Sequence, residues 1–515
     1  MKQITKNNLI IFGLLPFILG LITSFSLPPY NLILINFITF PTLLFIVFEL
    51  KKSNKNIKVF FKVGWLFGFG YFLSNLYWIT YSLTHDDIFK IFIPISLILI
   101  PAFLAIFYGL STLLLFKFNY NKKITLILVF SLIFSILEFL RGNILTGFPW
   151  NLIVFSWSSS LSSLQILSLI GTYSFNLVSI TIFSLPFVFL FKNYKKIKIY
   201  IAFFLLITIS LNYFYGFQIL RNKDKINLIS SDYILKIISP IISIDRFVKN
   251  INEDKILNDL IKLSGPEKDK KTIFIWPEGM LPNIYLNELK KYKNEFSTNF
   301  SSNHLIILGI NDYKDKIYNS LVVLNHELKV IDSYNKNKLV PFGEFLPFEK
   351  FLTKMGLKKI TYGYESFSKG KERKIIELKN VSFDFKLLPL ICYEIIYSGQ
   401  LNENSNNYNF IMNLSEDGWF GQSIGPEQHF VHAIFRSIEE GKNIIRSANN
   451  GFSALIDPYG DVINKIESTQ KGVIEVKNFQ NTKKTLFSII GNKMFFYFIL
   501  FYISLIFLIN KSEKE

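Results

Sequence analysis

Leu388-Pro389-Leu390-Ile391-Cys392-Tyr393-Glu394 is an apolar, strand-like run that ends on the only cysteine in a chain of 515 residues. A lone thiol has no partner for an internal disulfide, so its use is either packing or chemistry. Its company argues for chemistry. Trp276-Pro277-Glu278-Gly279 and the run from Lys336 through Pro341-Phe342-Gly343-Glu344 also begin where apolar stretches stop. A carboxylate, an ammonium and a thiol thus each end a strand-like segment, where side chains are presented at a sheet edge instead of being packed inside it. Base, cation and nucleophile are the groups that thiol acyl transfer requires. Spacing alone does not choose between Lys336 and Lys338 as the cation.

Around these three runs, from about residue 226, short β-rich segments alternate with polar turns: Thr272 to Trp276, Leu305 to Gly309, Ser320 to Leu324 and Asn409 to Asn413. Residues 251–263 place Ile251, Ile256, Leu257, Leu260 and Ile261 at helical spacing, and 427–442 do the same with Phe430, Ala433, Ile434 and Ile438. The mix predicts a layered α/β domain of about 260 residues.

The flanks are of another kind. Half of the residues are hydrophobic and 55 are Phe, which places the chain among membrane proteins. Apolar stretches near 8–26, 31–49, 59–81, 91–116, 124–140, 163–191 and 199–217 approach or exceed the roughly 20 residues that cross a bilayer, and an eighth runs from about 485 to 510. The first is expected to remain as an anchor, because no small-residue cleavage site follows it. Lysines alternate from loop to loop: Lys2 and Lys6, then Lys51, Lys52, Lys55 and Lys58, then Lys122 and Lys123, then Lys192, Lys195, Lys196 and Lys198. Positive loops stay inside, so the amino terminus is expected in the cytoplasm and the α/β domain outside. The expected division is 1–217 as a seven-span domain, 218–484 as the outer catalytic domain, and 485–515 as a last span with its cytoplasmic tail.

The net charge of +18 is spread through loops, which fits topology and not a nucleic-acid partner. The five His residues form no metal-ligand spacing, and no Gly-rich phosphate loop occurs, so neither a metal nor another cofactor is expected. Glu138 and Arg141 stand three apart near the outer end of the fifth span and are expected as an interfacial ion pair. Phe148, Trp150 and Trp157 are expected to anchor at the membrane interface. Residues 340–370, rich in Pro, Gly and Phe, are the candidate for a mobile, membrane-dipping arm.

Taken in order, Trp-Pro-Glu-Gly (276–279), Lys-Asn-Lys-Leu-Val-Pro-Phe-Gly-Glu (336–344), Ile-Cys-Tyr-Glu (391–394) and Asp-Gly-Trp-Phe-Gly (417–421), flanked by seven plus one spans, resemble the bacterial apolipoprotein N-acyltransferase family, whose outer domain is of the nitrilase superfamily. Residues 137–150, 422–429 and 446–451 carry further motifs of that family, so the resemblance covers nearly the whole chain. It implies an α-helical membrane domain of about eight spans plus a nitrilase-like αββα sandwich. Glu278 is then the general base, Lys336 the cationic stabiliser and Cys392 the nucleophile. Lys336 is the match because the family's lysine lies eight residues before the glutamate that is here Glu344. Glu344, Tyr393 and Glu394 match supporting positions, and Asn413 and Trp419 match residues near the site. Two positions depart from the family pattern: no Trp occurs between 226 and 275, and Glu416 stands where a small polar residue, commonly Asn, is usual.

The implied partners are a phospholipid acyl donor and an apolipoprotein with a diacylglyceryl-cysteine N-terminus, and the implied location is the bacterial inner membrane with the catalytic domain in the periplasm. Thiol activation has two routes, thiolate stabilisation by Lys336 or proton removal by Glu278. The second predicts Glu278 shielded beside Trp276, with Glu344 and Glu394 absorbing part of the lysine's field. Two rival readings are a membrane-tethered nitrilase-like amidase that passes the acyl group to water, and a receptor or transporter without turnover.

Overall fold

In a computed structural model, seven helices among the described residues are long and apolar enough to cross a membrane: Ile33–Lys52, Ile57–Thr84, Ile93–Leu115, Lys123–Asn143, Leu167–Leu190, Lys195–Asn222 and Lys493–Lys511. The structure describes residues 10–118, 123–192, 195–223, 228–249, 252–347, 349–354, 366–379, 382–401, 407–480 and 484–511. Lys2, Lys6, Lys122 and much of the proposed arm, 348 and 355–365, lie outside them. The stretch expected as the first span is a shorter apolar helix, Ile10–Ser26, stopped just before Pro28 and Pro29, which have no N–H to continue it.

Contacts divide the chain into a unit of Met1–Thr80, Ile91–Lys223 and Leu486–Glu515, and a unit of Tyr81–Lys90 with Asp224–Thr485. In the first, small residues let helices touch: a Cβ on Gly20 would lie 1.9 Å from the Phe67 carbonyl oxygen. Helices Lys195–Asn222 and Lys493–Lys511 turn Phe203, Leu206, Leu211 and Phe507 outward, an apolar surface suited to lipid.

Polar and aromatic residues of this unit differ from expectation. Arg141 does pair with Glu138 at 3.0 Å, but both side chains are buried, not interfacial. The guanidinium also donates to the carbonyls of Phe148 and Asn151. Trp150 packs on Trp78, and Trp157 stacks on Phe175 and Phe183 while its indole N–H donates to Ser179 Oγ at 2.9 Å. Both tryptophans are internal packing, not anchors.

The second unit holds twelve strands: β1 (Leu228–Ser239), β2 (Thr272–Ile275), β3 (His304–Tyr313), β4 (Ile317–Asn325), β5 (Val330–Asn335), β6 (Ile376–Lys379), β7 (Asp384–Ile391), β8 (Phe410–Glu416), β9 (Asn443–Asn449), β10 (Ser453–Ile456), β11 (Val462–Ile466) and β12 (Gly472–Gln480). They form two six-stranded sheets, ordered β12-β1-β2-β3-β4-β5 and β11-β10-β9-β8-β7-β6. Each has a parallel centre, β1-β2-β3 or β7-β8-β9, with antiparallel strands at its margins.

Alternation along the strands builds the layers. Ile273 and Ile275 of β2, Leu305 and Ile307 of β3, and Leu321 and Val323 of β4 point into the core shared by the sheets. Phe274, Ile306, Leu308, Val322 and Leu324 point the other way, onto the helix Glu253–Ser264 through Ile256, Leu257, Leu260 and Ile261. That helix starts where Asn252 accepts from the Lys255 amide and stops at left-handed Gly265. Helix Gly425–Glu440 packs on β9 and β10 of the second sheet, giving the αββα sandwich.

Candidate active site

Three strand ends meet at one place. Glu278 lies just beyond β2, Lys336 follows β5 directly, and Cys392 follows β7 as the first residue of a tight turn, Cys392–Ile396. Cys392 has φ +48, a left-handed conformation that a side chain adopts at a cost. Its carbonyl is held by Asn413 Nδ2 at 3.5 Å, which also donates to the Leu390 carbonyl at 3.3 Å.

Lys336 is buried and its Nζ donates to Glu344 Oε1 at 2.9 Å and to Glu278 Oε1 at 3.4 Å. Asn319 of β4 bridges the same two oxygens, at 2.7 Å to Glu278 and 2.9 Å to Glu344. Glu278 Oε2 accepts the backbone N–H of Glu416 at 3.0 Å, and Glu344 Oε2 that of Val340 at 2.9 Å. Lys338 sits elsewhere, over the ring of Tyr397. The backbone of Glu278 lies against β3 at Gly309, where an added Cβ would come within 2.7 Å of the Glu278 Cα.

Glu394 departs from its expected part. It does not meet Lys336; its Oε1 accepts from the Tyr334 hydroxyl, the amides of Asn337 and Lys338, and Arg373, while Oε2 accepts from the Ile391 amide. These bonds tie the segment after Lys336 to the turn that carries Cys392, so Glu394 fixes geometry while Glu344 shares the lysine's charge. Tyr393 is buried edge-on against Tyr397. Trp419 is half-buried between Phe247 and His85, the latter on the Tyr81–Lys90 segment. Trp276 does not shield Glu278: its indole turns to the helix layer and donates to Ser264 Oγ at 2.9 Å.

Burial raises the Glu278 carboxyl above the usual carboxylate range; Lys336 and Asn319 pull it down, while Glu344 and Glu416 push it up. Burial also opposes the Lys336 ammonium, but Glu278, Glu344 and Cys392 outweigh it and hold its affinity for the proton well above the ordinary value. Burial pushes the Cys392 thiol up, Glu278 adds to this, and Lys336 pulls against them without reversing the sign. The resting sulfur therefore carries its proton.

Four features escaped sequence reading. Asn319 is one polar residue within a β run and gives no sign of its partners. Arg373 and Tyr334 hold Glu394 from distant segments. Behind the thiol, Asp417 accepts from Ser415 Oγ at 2.7 Å, from Arg446 at 2.7 Å and from His429 at 3.0 Å, while Arg446 also donates to Asn413. Asp417, His429 and Arg446 gave a signal only as members of quoted motifs, and Ser415 gave none. Arg246, which pairs with Glu416, left none.

Residues 19–185 match the apolipoprotein N-acyltransferase N-terminal domain, and residues 298–478 match the carbon-nitrogen hydrolase family. Apolipoprotein N-acyltransferase of Rickettsia typhi is 32% identical over 486 residues, covering 92% of this chain and 94% of that protein. The proteins of the same name from Rhodopseudomonas palustris and Brucella melitensis are 30% and 29% identical, covering 88% and 90% of this chain and 87% and 89% of their own length. Among solved structures, Saccharomyces cerevisiae Nit3, a member of branch 10 of the nitrilase superfamily, covers 49% of this chain and 91% of its own at 17% identity; its TM-score of 0.35 carries no weight for function. On the identity and coverage of its relatives, this membrane chain belongs to the apolipoprotein N-acyltransferase family.

Proposed function

We propose that the chain moves an acyl group from a phospholipid, through a thioester on Cys392, to the α-amine of a diacylglyceryl-cysteine that begins an apolipoprotein. The observation that carries this reading is Lys336 bonded to both Glu278 and Glu344 beside a buried thiol in a left-handed turn. The names of the relatives supply an apolipoprotein as acceptor and acyl transfer to nitrogen; the phospholipid donor and the diacylglyceryl-cysteine are part of the proposal.

In the first half-reaction Cys392 Sγ attacks the ester carbonyl and its proton passes to Glu278. The tetrahedral oxyanion forms beside the Lys336 ammonium, and one such preorganised donor typically lowers a barrier by about 3 kcal/mol. Collapse breaks the ester C–O bond, Glu278 returns the proton to the departing lysophospholipid oxygen, and the acyl group remains on sulfur. In the second half the α-amine attacks the thioester, Glu278 takes the amine proton, the C–S bond breaks and the thiol is restored. Both substrates carry acyl chains, so a chain with seven long apolar helices suits delivery from lipid. The lysine pattern supports a cytoplasmic amino terminus and a periplasmic catalytic domain.

Intact-protein mass spectrometry after incubation with acyl-labelled phospholipid, then a chase with a diacylglyceryl-cysteine peptide, tests both halves. The expected result is an acyl-sized gain, absent in Cys392→Ser, that moves to the peptide amine. A gain that decays only to free fatty acid points to the hydrolase. An intact fold with no adduct rejects the acyltransferase.

A further inference from the structure

The two departures from the family pattern meet in space. Glu416 ends β8, and Arg246 belongs to the short turn Ile244–Phe247, within the stretch 226–275 that lacks Trp. Their side chains form an ion pair with exposures of 0% and 1%, so neither charge is shared with water. The carboxylate is fully committed: Asn449 donates to Oε2 at 2.8 Å, and Gly418 N–H and Asn450 donate to Oε1 at 2.8 and 3.4 Å. Arg246 donates through Nε to the Gly279 carbonyl at 2.9 Å and through Nη1 to the carbonyls of Ile242 and Ser243.

Both partners therefore act on one short segment. Arg246 grips the carbonyl of Gly279, the residue after Glu278, and Glu416, its own backbone fixed by its side chain, aims its N–H at Glu278 Oε2 at 3.0 Å. We propose that Arg246 and Glu416 are a buried positioning pair that holds Glu278 in place as the base for Cys392. The inference rests on the reading of Glu278 as that base.

A tie that only joined loops would leave the proton affinity of Glu278 alone. This pair does not, because Glu416 faces Glu278 together with Asn319 from β4, Lys336 after β5, Glu344 from the segment beyond and Cys392 after β7, and its negative charge favours protonated Glu278. Arg246 balances that charge. Removing Glu416 alone takes away the push and leaves Arg246 unbalanced, and both changes lower the proton affinity of Glu278. Removing Arg246 alone strands a buried carboxylate, and removing both leaves neutral groups.

The experiment is the pH dependence of thioester formation by the full chain in nanodiscs, with acyl-labelled phosphatidylethanolamine, for the parent, Glu416→Gln, Arg246→Met and the double variant, each with a thermal melt. In Glu416→Gln the acid limb is expected to move to lower pH by about half a unit or more. Arg246→Met is expected to slow thioester formation about tenfold or more, and the double variant to lose little beyond that, as two members of one pair do. An unmoved acid limb in folded Glu416→Gln, or losses that add in full in the double variant, overturns the proposal. If Arg246→Met does not fold, the Glu416→Gln limb decides alone. Glu278→Gln separates the levels: if it forms the thioester at the parent rate, the base assignment falls and the pair's role with it, whereas an inactive Glu278→Gln beside an unmoved Glu416→Gln limb removes only the pair.

Discussion

Glu278 and Asp417 are both carboxylates closed off from water in the same sandwich, yet they are driven in opposite directions. Burial disfavours the charge on each. Glu278 shares a single ammonium with Glu344 and has Glu416 nearby, so burial wins and its carboxyl is raised. Asp417 accepts from Arg446, His429 and Ser415 with no second carboxylate on that arginine among the described residues, and they overcome burial and hold its carboxyl well below the usual carboxylate range. Burial by itself does not make a base. The ratio of carboxylates to cations does: two acceptors on one lysine leave proton affinity to spare, while one acceptor among several donors has none.

The largest effect expected is that of Cys392→Ala, which should abolish the acyl adduct, a loss on the order of 10^4-fold or more, without lowering the melting temperature appreciably. An adduct that survives would break the division between a reactive Glu278 region and a supporting Asp417 region. Glu278→Gln comes next, slowing thioester formation by about 10^2 to 10^4-fold and flattening the acid limb of its pH profile. The parent's rate should rise with pH as the raised Glu278 carboxyl loses its proton; a limb that persists in the variant belongs to another group.

Asp417→Asn should act on the fold instead, costing about 3–5 kcal/mol because Arg446 would be left buried without its counter-charge. Its linkage has the usual sign for a depressed carboxyl. Asp417 contributes stability in full above the ordinary carboxylate range, and the contribution is lost as pH falls toward its lowered value. Chemical denaturation between pH 7 and pH 3 should therefore show a shallower acid loss in Asp417→Asn than in the parent; parallel curves would contradict the comparison. The smallest effect is that of Asn319→Ala, about tenfold in thioester formation, since two buried acceptors lose one donor but keep Lys336. An effect as large as that of Glu278→Gln would mean that the amide, not the lysine, balances the two carboxylates.

How much of this was legible follows from what local sequence encodes. The strand ends carrying Glu278 and Cys392 could be read because continuous apolar runs stop at them, whereas Lys336 needed the family motif that sets its distance from Glu344. The membrane helices could be read because their composition differs so strongly from the rest. What composition does not distinguish is lipid from protein interior, which is why Trp150 and Trp157 read as anchors and are instead core. Partner choice is equally invisible. Glu394 stands beside Cys392 in sequence, but nothing local reveals that its oxygens face Tyr334 and Arg373 and not Lys336. Arg246 and Glu416 are 170 residues apart, and each alone looks like an ordinary surface charge.

Gly309 bears no functional group, touches no substrate in the scheme above and lies in the middle of a strand. Yet the Glu278 backbone occupies the volume in which any other residue would place its first side-chain atom, 2.7 Å from Cα. Any side chain at 309 must therefore displace the Glu278 backbone. In a saturation library scored by activity, even the smallest replacement at 309 would be indistinguishable from loss of the chemistry, and an inert hydrogen atom would be scored as a reactive one.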